Sequence, residues 1–325
     1  MSKSTFALTA EHWGKRIDVV LAMFTQLSRN QVRKLIAERA VSCDEKIITK
    51  PGTLVKTTNT IMVVDDVPAA NKKIIAEDII LDVLYEDEHI IAINKKPGMV
   101  VHPGVGHSDG TLVHALASYQ QKHNTQELRL LHRLDKDTSG LILVSKNEKT
   151  YHLFLAMFEE RTLEKIYLAI LAGTPKDQRG YVDAPIDRAL HDRQKFAVSS
   201  SHASRQALTA YQIIDFFTAT SLVAVRIHTG RTHQIRVHMQ SIGHPIIGDL
   251  TYYTNASYEL GAEVQAKRQM LHAYRVTFIH PVTTKPITIV APPPFDFRQV
   301  LGALSGKKYK IPAFSFEDYD YHHQW

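Results

Sequence analysis

The sequence predicts an α+β protein, with a small N-terminal α/β module followed by a larger domain built on a mainly antiparallel mixed sheet flanked by helices. Apolar residues recur at helical spacing early in the chain, whereas strand-like apolar runs dominate the remainder. Those runs mix with a few helical segments without regular strand–helix alternation, which favours α+β over a parallel α/β sheet. The 325 residues, 44% of them hydrophobic, suffice for two domains.

The composition limits the kinds of partner, cross-link and location that the protein can have. Lys and Arg total 39 against 33 Asp and Glu, and this net charge of +6 favours a polyanionic partner. The single cysteine, Cys43, excludes an internal disulfide framework and a site of several thiolates. No long apolar segment opens the chain, and no run of about 18 apolar residues occurs. We expect a cytoplasmic monomer that makes no membrane contact.

The N-terminal module, expected over residues 1–66, contains two predicted helices. In RIDVVLAMF the apolar residues fall at i, i+3, i+4 and i+7, which is one face of a helix. The second helix, SRNQVRKLIAER, has complete start signals, because Ser28 can cap it and Gln31 can close a capping box. Short strands broken by turns follow in AVSCDEKIITKPGTLVKTTNTIMVV.

The second helix carries a basic strip, which we define as Arg29, Arg33 and Lys34. Arg29 and Arg33 lie one turn apart on the side opposite the apolar stripe. A lone basic helix face is often merely solvated. Over about residues 15–65, however, the module resembles the S4 RNA-binding domain, in which two helices present basic side chains to structured RNA. The resemblance implies that the basic strip binds RNA.

A charged, Pro-containing linker is expected over residues 67–78, and the larger domain over residues 79–325. Its predicted strands lie in IILDVLYED, HIIAINKKPGMVVHPG, GLILVSKN, LEKIYLAILAG, QALTAYQIIDFF, SLVAVRIHTG, LHAYRVTFIHP and PITIVAPP. Its predicted helices lie in GTLVHALASYQ, NEKTYHLFLAMFEE, THQIRVHMQSIG and near FDFRQVLGAL.

The stretch LLHRLDKDTSGLILVSK, residues 130–146, sets acids where an apolar run breaks. A calcium loop from Asp135 fails because its twelfth position is Lys146, where a bidentate Glu is needed. An aspartyl phosphotransferase would need a continuous apolar strand before the first Asp and further paired acids, and neither is found. A surface pair of Arg133 and Asp135 across a turn stays open, as does a catalytic carboxylate.

Three histidines of HTGRTHQIRVH, namely His228, His233 and His238, raise the possibility of a zinc site. Their five-residue steps put neighbouring members on opposite faces of a strand, or about 140° apart on a helix. We therefore expect no metal there. The polar stretch DRALHDRQKFAVSSSHASRQ is predicted to be a loop or hairpin, and its Lys and Arg residues either grip phosphates or are simply exposed.

Three motifs of the larger domain together resemble the RluA-type pseudouridine synthases. LLHRLDKDTSGLILVSKN resembles their HRLD signature. EKIYLAIL, with Lys165 and Tyr167, and IHTGRTHQIRVHM, with Arg231 and Arg236, match their second and third motifs in the same order. Supporting pieces are INKKPGMVVHPG, GHPIIGD and LHAYRVTFIHP. In GDLTYYT a Tyr stands where the family usually has Gly after the first Tyr, which affects a turn and not the chemistry.

The resemblance implies an enzyme that converts a uridine within RNA to its C-glycoside isomer without a cofactor. Asp135 would act at the ribose, either by forming a covalent adduct or by taking the 2′ proton. Arg236, with Arg231 nearby, would keep that carboxylate ionised in a site that excludes water. Tyr167 would form a platform for the uracil, although KIYLAIL by itself predicts only a core aromatic.

The remaining residues have supporting roles by the same resemblance. Arg133 would fill the stack that the everted nucleotide leaves, while His132 and Lys165 would be structural support. The domain order is similar to the D-type subgroup, which modifies large-subunit ribosomal RNA, so that RNA is the expected partner. A transfer-RNA pseudouridine synthase and a non-catalytic RNA chaperone or ribosome-assembly factor remain as alternatives.

Overall fold

The computed structural model describes residues 4–25, 27–56, 60–63, 74–104, 106–125, 127–189, 192 and 195–316. It divides the chain into two compact units, Met1–Ile74 and Ile75–Trp325. The expected α+β class is confirmed. The limits of the linker stay a prediction, because residues 67–73 lie outside the described ones.

The first unit pairs one small sheet with two helices. Its strands are β1 (Ser4–Ala7), β2 (Val41–Cys43), β3 (Lys46–Ile47) and β4 (Thr60–Val63), in the order β1-β4-β2-β3 with antiparallel pairing. A short 3-10 helix covers Ala10–His12, and the α-helices are α1 (Ile17–Thr25) and α2 (Arg29–Ala37). Strand β1 was not predicted, since four residues are too few to show a period.

Helix α2 begins as its sequence predicts. The Ser28 side chain accepts from the Gln31 N–H at 3.3 Å, and the Gln31 side chain accepts from the Ser28 N–H at 2.8 Å. This reciprocal capping box satisfies two of the free donors at the helix start. The apolar stripe of α2 packs against that of α1 in a core of their own, formed with residues of β2 and β4. The module therefore carries a hydrophobic core independent of the larger sheet.

The second unit is organised by one ten-stranded sheet. Its strands are β5 (Val83–Glu86), β6 (Ile90–Lys95), β7 (Arg129–Leu130), β8 (Ser139–Ser145), β9 (Glu164–Ala172), β10 (Arg179–Asp183), β13 (Leu208–Phe216), β14 (Thr220–Ile227), β15 (Leu271–Ile279) and β16 (Pro286–Val290). The order is β10-β13-β14-β9-β15-β8-β6-β5, with β7 added to β8 and β16 to β15. Between these described strands, only β8 and β15 run parallel. A separate hairpin pairs β11 (Ile186–Arg188) with β12 (Phe196–Val198).

Helices cover the sheet and include one that the sequence did not predict. They are α3 (Leu112–His123), α4 (Glu148–Glu159), α5 (Gln234–Ser241), α6 (Asn255–Glu263) and α7 (Phe295–Ser305). Helix α6 was missed because only Ser257 and Gly261 of its residues are buried, so it has no apolar stripe. Its start signal is a capping box between Thr254 and Ser257. No helix in the described part of the chain is long and apolar enough to cross a membrane.

The centre of the sheet explains the continuous apolar runs of the sequence. Strand β8 is buried throughout, and β9 from Ile166 onwards, because helices and loops cover both faces. The predicted strand in HIIAINKKPGMVVHPG is shorter than expected, ending at Lys95, where a Lys-Pro-Gly turn follows. The strand ends and turns beside β8 and β9 form the rim of a cavity.

Candidate active site

The turn that carries Asp135 is anchored by its apolar neighbours. Leu131 and Leu134 are buried on the segment between β7 and β8. The Thr138 N–H donates to the Asp135 carbonyl at 3.1 Å, which closes the turn just before β8 begins. The Asp135 side chain is 18% exposed. The residue is thus a turn residue in its backbone, with its carboxylate facing a cavity.

Arg236, in the first turn of α5, bridges two carboxylates. Its Nη1 donates to Asp135 Oδ2 at 3.2 Å. Its Nε and Nη2 donate to the two oxygens of Asp249 at 2.6 and 2.9 Å. The Asp249 side chain is fully buried and also accepts the N–H groups of Thr251 and Tyr252. The expected pair of Asp135 with Arg236 is therefore present, and Asp249 is the partner that the sequence did not reveal.

The charges of this trio explain how a guanidinium can stay buried. Burial acts to lower the pKa of Arg236, but the hydrogen bonds and charges of Asp249 and Asp135 outweigh it and raise that pKa. The group therefore remains a cation at any physiological pH. Two carboxylates against one guanidinium leave a formal charge of −1. A cation beside a carboxylate favours the ionised form of an acid. The second carboxylate, that of Asp249, gives the group of three side chains its net negative charge.

Tyr252 and His233 complete the packing around the guanidinium. The Tyr252 ring lies 4.9 Å from the Arg236 guanidinium carbon, and its hydroxyl is 2.8 Å from His233 Nδ1. That hydroxyl also accepts from the Phe196 N–H at 2.8 Å. His233 Nε2 lies 3.9 Å from Asp135 Oδ2. Burial lowers the pKa of His233, with the Asp135 charge acting against it, so the imidazole is neutral near pH 7.

A cavity of 90 Å³ joins the residues of the three sequence motifs. Its lining includes Arg133, Asp135, Tyr167, Arg231 and Arg236. Tyr167 lies on β9 and is only 7% exposed. Burial, followed by the charge of Asp135, raises its pKa, so the hydroxyl keeps its proton. The side chain is at once a core aromatic and part of the cavity lining, and its role as a platform for the uracil stays a prediction.

His132 and Lys165 lie behind this cavity. His132 Nε2 accepts from the Leu143 N–H at 3.0 Å, which ties the turn to β8. Burial, and then the charge of Lys165, lower the pKa of His132 to about 3, so it is neutral. The Lys165 ammonium lies 5.0 Å from the Phe158 ring centroid, and burial lowers its pKa to about 8. Neither residue lines the 90 Å³ cavity.

Arg133 and Arg231 differ in their freedom. Arg133 is exposed and forms no ion pair with Asp135, which removes the surface pair considered for the turn. Arg231 donates from Nε to the Gln206 carbonyl at 3.0 Å. Burial lowers the pKa of Arg231, and the nearby positive charge of Arg205 adds to the effect. Arg231 is therefore held at the rim of the cavity and not against the carboxylate.

A larger cavity of 530 Å³ shares Asp135, His233 and Arg236 with the smaller one. Basic side chains line much of it, namely His102, His107, Arg133, Lys136, Lys267 and Arg268. Such a lining suits a polyanion whose reacting part enters beside Asp135. Among the described residues, no group of three or more His, Cys, Asp or Glu side chains is arranged to hold a metal.

Two buried basic side chains that the sequence analysis missed, those of Lys95 and Arg268, hold the backbone of the turn. Lys95 is 1% exposed, and its Nζ donates to three backbone carbonyls at 2.9–3.0 Å, one of them that of Lys136. Arg268 Nη1 donates to the Asp137 carbonyl at 2.9 Å. The carbonyls of the two residues after Asp135 are thereby fixed. A lysine ending the apolar run IIAINK was the available signal for Lys95.

The other predicted phosphate contacts are on the surface. In the first unit, Arg29 and Arg33 contact Asp18, and Lys34 lies 3.7 Å from Glu38, so the basic strip is partly paired with acids. In the predicted hairpin, Arg188 lies over the Phe196 ring at 5.2 Å. Lys195 and Arg205 flank the same hairpin, and Arg193 lies outside the described residues.

Comparison with known proteins shows the family to which the chain belongs. Residues 89–241 match the RNA pseudouridylate synthase family, and residues 15–61 match the S4 domain. The chain is 37% identical over 92% of its length to the ribosomal large subunit pseudouridine synthase D of Zymomonas mobilis, covering 96% of it. It is 37% identical over 89% of its length to an uncharacterized RNA pseudouridine synthase of Synechocystis, covering 88% of that protein.

A solved structure extends the likeness to the fold. The human RNA pseudouridylate synthase domain containing 1 matches with a TM-score of 0.58 and 26% identity, over 74% of this chain and 93% of the human one. In this chain the turn before β8, helix α5 and strand β9 bring Asp135, Arg236 and Tyr167 to one cavity. The chain belongs to the RNA pseudouridylate synthase family and is an isomerase that acts on RNA.

Asp249→Ala should destabilise the chain by about 3–5 kcal/mol, because it leaves the buried Arg236 with one partner instead of two. Urea unfolding of the purified variant measures this change. Glu127→Ala is the matched control, since it also leaves its arginine, Arg129, with one carboxylate instead of two, but Glu127 is 70% exposed. Its loss should be clearly smaller. Equal losses would show that burial of the Asp249 pair contributes nothing.

Proposed function

We propose that Asp135 is the catalytic carboxylate of a uridine-to-pseudouridine isomerisation in large-subunit ribosomal RNA. The observation that carries this proposal is the Arg236–Asp135 contact of 3.2 Å at a cavity that Tyr167 also lines. A protein that only binds RNA gains nothing from a carboxylate facing a polyanion. The arrangement therefore favours the enzyme over a chaperone that kept the fold.

The reaction needs three things of the protein. The bond between ribose C1′ and uracil N1 must break, the uracil must turn while bound, and its C5 must bond to C1′. C5 then loses a proton and N1 gains one, so that the product is an isomer of the substrate. Asp135 serves the first step either by attacking C1′ or by taking the 2′ proton. Both routes need an ionised carboxylate, and Arg236 and Asp249 hold one in place.

Tyr167 supports the second step. A flat aromatic wall lets a detached uracil turn without leaving the site. Because its hydroxyl keeps its proton, it donates a hydrogen bond and does not itself take the C5 proton. Everting a nucleotide from the RNA stack costs a few kcal/mol. Arg133, which is exposed and lines both cavities, fills the space that the nucleotide leaves.

The RNA class follows from the relatives. The pseudouridine synthase D proteins of Zymomonas mobilis and Vibrio cholerae are named for the ribosomal large subunit, and this chain covers 96% and 91% of their lengths. Large-subunit RNA is accordingly the first substrate to test and transfer RNA the second. We further propose that the protein works in the cytoplasm as a monomer, without a metal or cofactor.

Asp135→Asn should lower the release of tritium from C5-labelled uridine in ribosomal RNA by at least about 10³-fold, because the amide neither attacks nor takes a proton. RNA binding should persist. Asp177→Asn, which removes one exposed charge of the same unit, serves as the control and should retain activity. Unchanged release by Asp135→Asn would refute the catalytic role, and an inactive wild type on ribosomal and transfer RNA would favour the chaperone.

Arg29→Ala combined with Arg33→Ala should weaken RNA binding and flatten its dependence on salt by about 1–2 in log–log slope, because fewer counterions are released. Turnover at saturating RNA should not change. Filter binding across salt concentrations gives the slope. Lys46→Ala with Lys50→Ala removes the same charge from exposed positions of the module and should leave the slope intact. An unaltered slope in the arginine variant would make the basic strip a solvated face.

A further inference from the structure

A buried acid lies among the cations of the N-terminal module. Asp18, in the first turn of α1, has a side chain with 0% exposure. Its Oδ1 and Oδ2 accept from Arg16 Nε and Nη2 at 3.0 and 3.1 Å. Its Oδ2 also accepts from Arg29 Nη2 at 3.2 Å and from Arg33 Nε at 3.3 Å. One carboxylate thus collects three guanidiniums from two helices and the segment that precedes them.

The carboxylate is charged in spite of its position. Burial acts to raise the pKa of Asp18, but the hydrogen bonds from Arg16, Arg29 and Arg33 prevail and lower it to about 2. Each guanidinium would otherwise repel the other two, and each long side chain would sample many rotamers. Asp18 removes both obstacles, because it draws the three groups to one point and fixes them there.

The outer sides of the three arginines remain available. Their side chains are 44%, 52% and 48% exposed for Arg16, Arg29 and Arg33. The bonds to Asp18 leave Nη1 of Arg16, Nε and Nη1 of Arg29, and both Nη atoms of Arg33. Three positive charges and one negative give a net charge of +2. Planar donor forks gathered around one acid, with excess positive charge and free nitrogens, match the oxygens of a phosphate.

We propose that Asp18 is a positioning residue that assembles Arg16, Arg29 and Arg33 into one binding site for a backbone phosphate of RNA. This inference rests on the proposed RNA-binding role of the basic strip. It goes further in two respects: it adds Arg16, which precedes the helices, and it makes an acid necessary for binding a polyanion.

For the RNA affinity of Asp18→Asn, the proposal predicts a change opposite in sign to the one that charge alone predicts. Removing a negative charge near RNA should tighten binding if charge alone matters. If Asp18 positions the arginines, Asp18→Asn should instead weaken binding by about tenfold, because three side chains must then be ordered by the RNA itself. Glu38→Gln is the matched control on α2, since Glu38 is 55% exposed and pairs only with Lys34. It should bind as well as the wild type or better.

The measurement is the Kd of the full chain for a transcript of bacterial 23S ribosomal RNA, at several salt concentrations. Hydrogen exchange of the α1 and α2 amides shows whether Asp18→Asn keeps the module folded. If Asp18→Asn unfolds the module, the Kd of Arg16→Ala tests the proposal instead. Lys15→Ala, at the adjacent exposed position, is its control. Arg16→Ala should weaken binding about as much as Arg29→Ala, and Lys15→Ala should weaken it less.

The possible failures can be told apart. If Arg29→Ala with Arg33→Ala binds like the wild type, the RNA-binding role of the basic strip is wrong, and the inference fails with it. If that double variant binds weakly while a folded Asp18→Asn binds as tightly as the wild type or tighter, only the inference fails. If Arg16→Ala binds RNA as tightly as the wild type, the inference likewise fails, while the RNA-binding role of the basic strip is unaffected.

Discussion

The candidate site depends on one guanidinium shared between two carboxylates. Arg236 uses two of its nitrogens on the fully buried Asp249 and the third on Asp135. Separating a buried guanidinium from its carboxylates would leave an unpaired buried charge, which is strongly destabilising. The arrangement therefore fixes helix α5, the segment after it and the Asp135 turn relative to one another. It also gives Asp135 a fixed cation without making the trio electrically neutral, which suits the proposed action of that carboxylate at a ribose.

The rest of the large domain makes the turn rigid. Lys95 and Arg268 hold the two carbonyls after Asp135. Gly140, with φ of +108°, lets β8 approach β15 so closely that a Cβ atom would lie 2.2 Å from the Ala273 carbonyl oxygen. That contact joins β8, which follows the turn, to β15 through the one parallel pairing between strands described in this sheet. A site that must hold a sugar and a detached base in register needs such support.

The sequence predicted what depends on local pattern and missed what depends on burial. The capping box of Ser28 and Gln31 was readable because both residues act within one turn. Arg236 was expected as the partner of Asp135 only through family resemblance, since 101 residues separate them. Asp249 ends the supporting motif GHPIIGD, but its pairing with Arg236 could not be inferred from it. Lys95 gave little signal, because a buried charge looks like any other charge in sequence. Asp18 was not singled out in the sequence, and its three arginine partners appeared only in three dimensions.

In the proposed function, the two units divide RNA binding and chemistry between them. The proposed phosphate site of the small module supplies affinity without reading a base, while the cavity beside Asp135 supplies the chemistry. In both places an aspartate and an arginine are placed together, with the roles exchanged. In the two proposals, Asp18 positions arginines toward RNA, and Arg236 positions an aspartate toward RNA. In this account neither charge acts alone.

A crystal structure of the Asp135→Asn chain bound to a uridine-containing fragment of large-subunit ribosomal RNA tests the central claim most directly. The account predicts an everted uridine whose base lies against Tyr167, with the residue 135 amide within about 3.5 Å of the ribose C1′ or O2′. A nucleotide that remains stacked in the RNA, or a ribose bound away from residue 135, would contradict it.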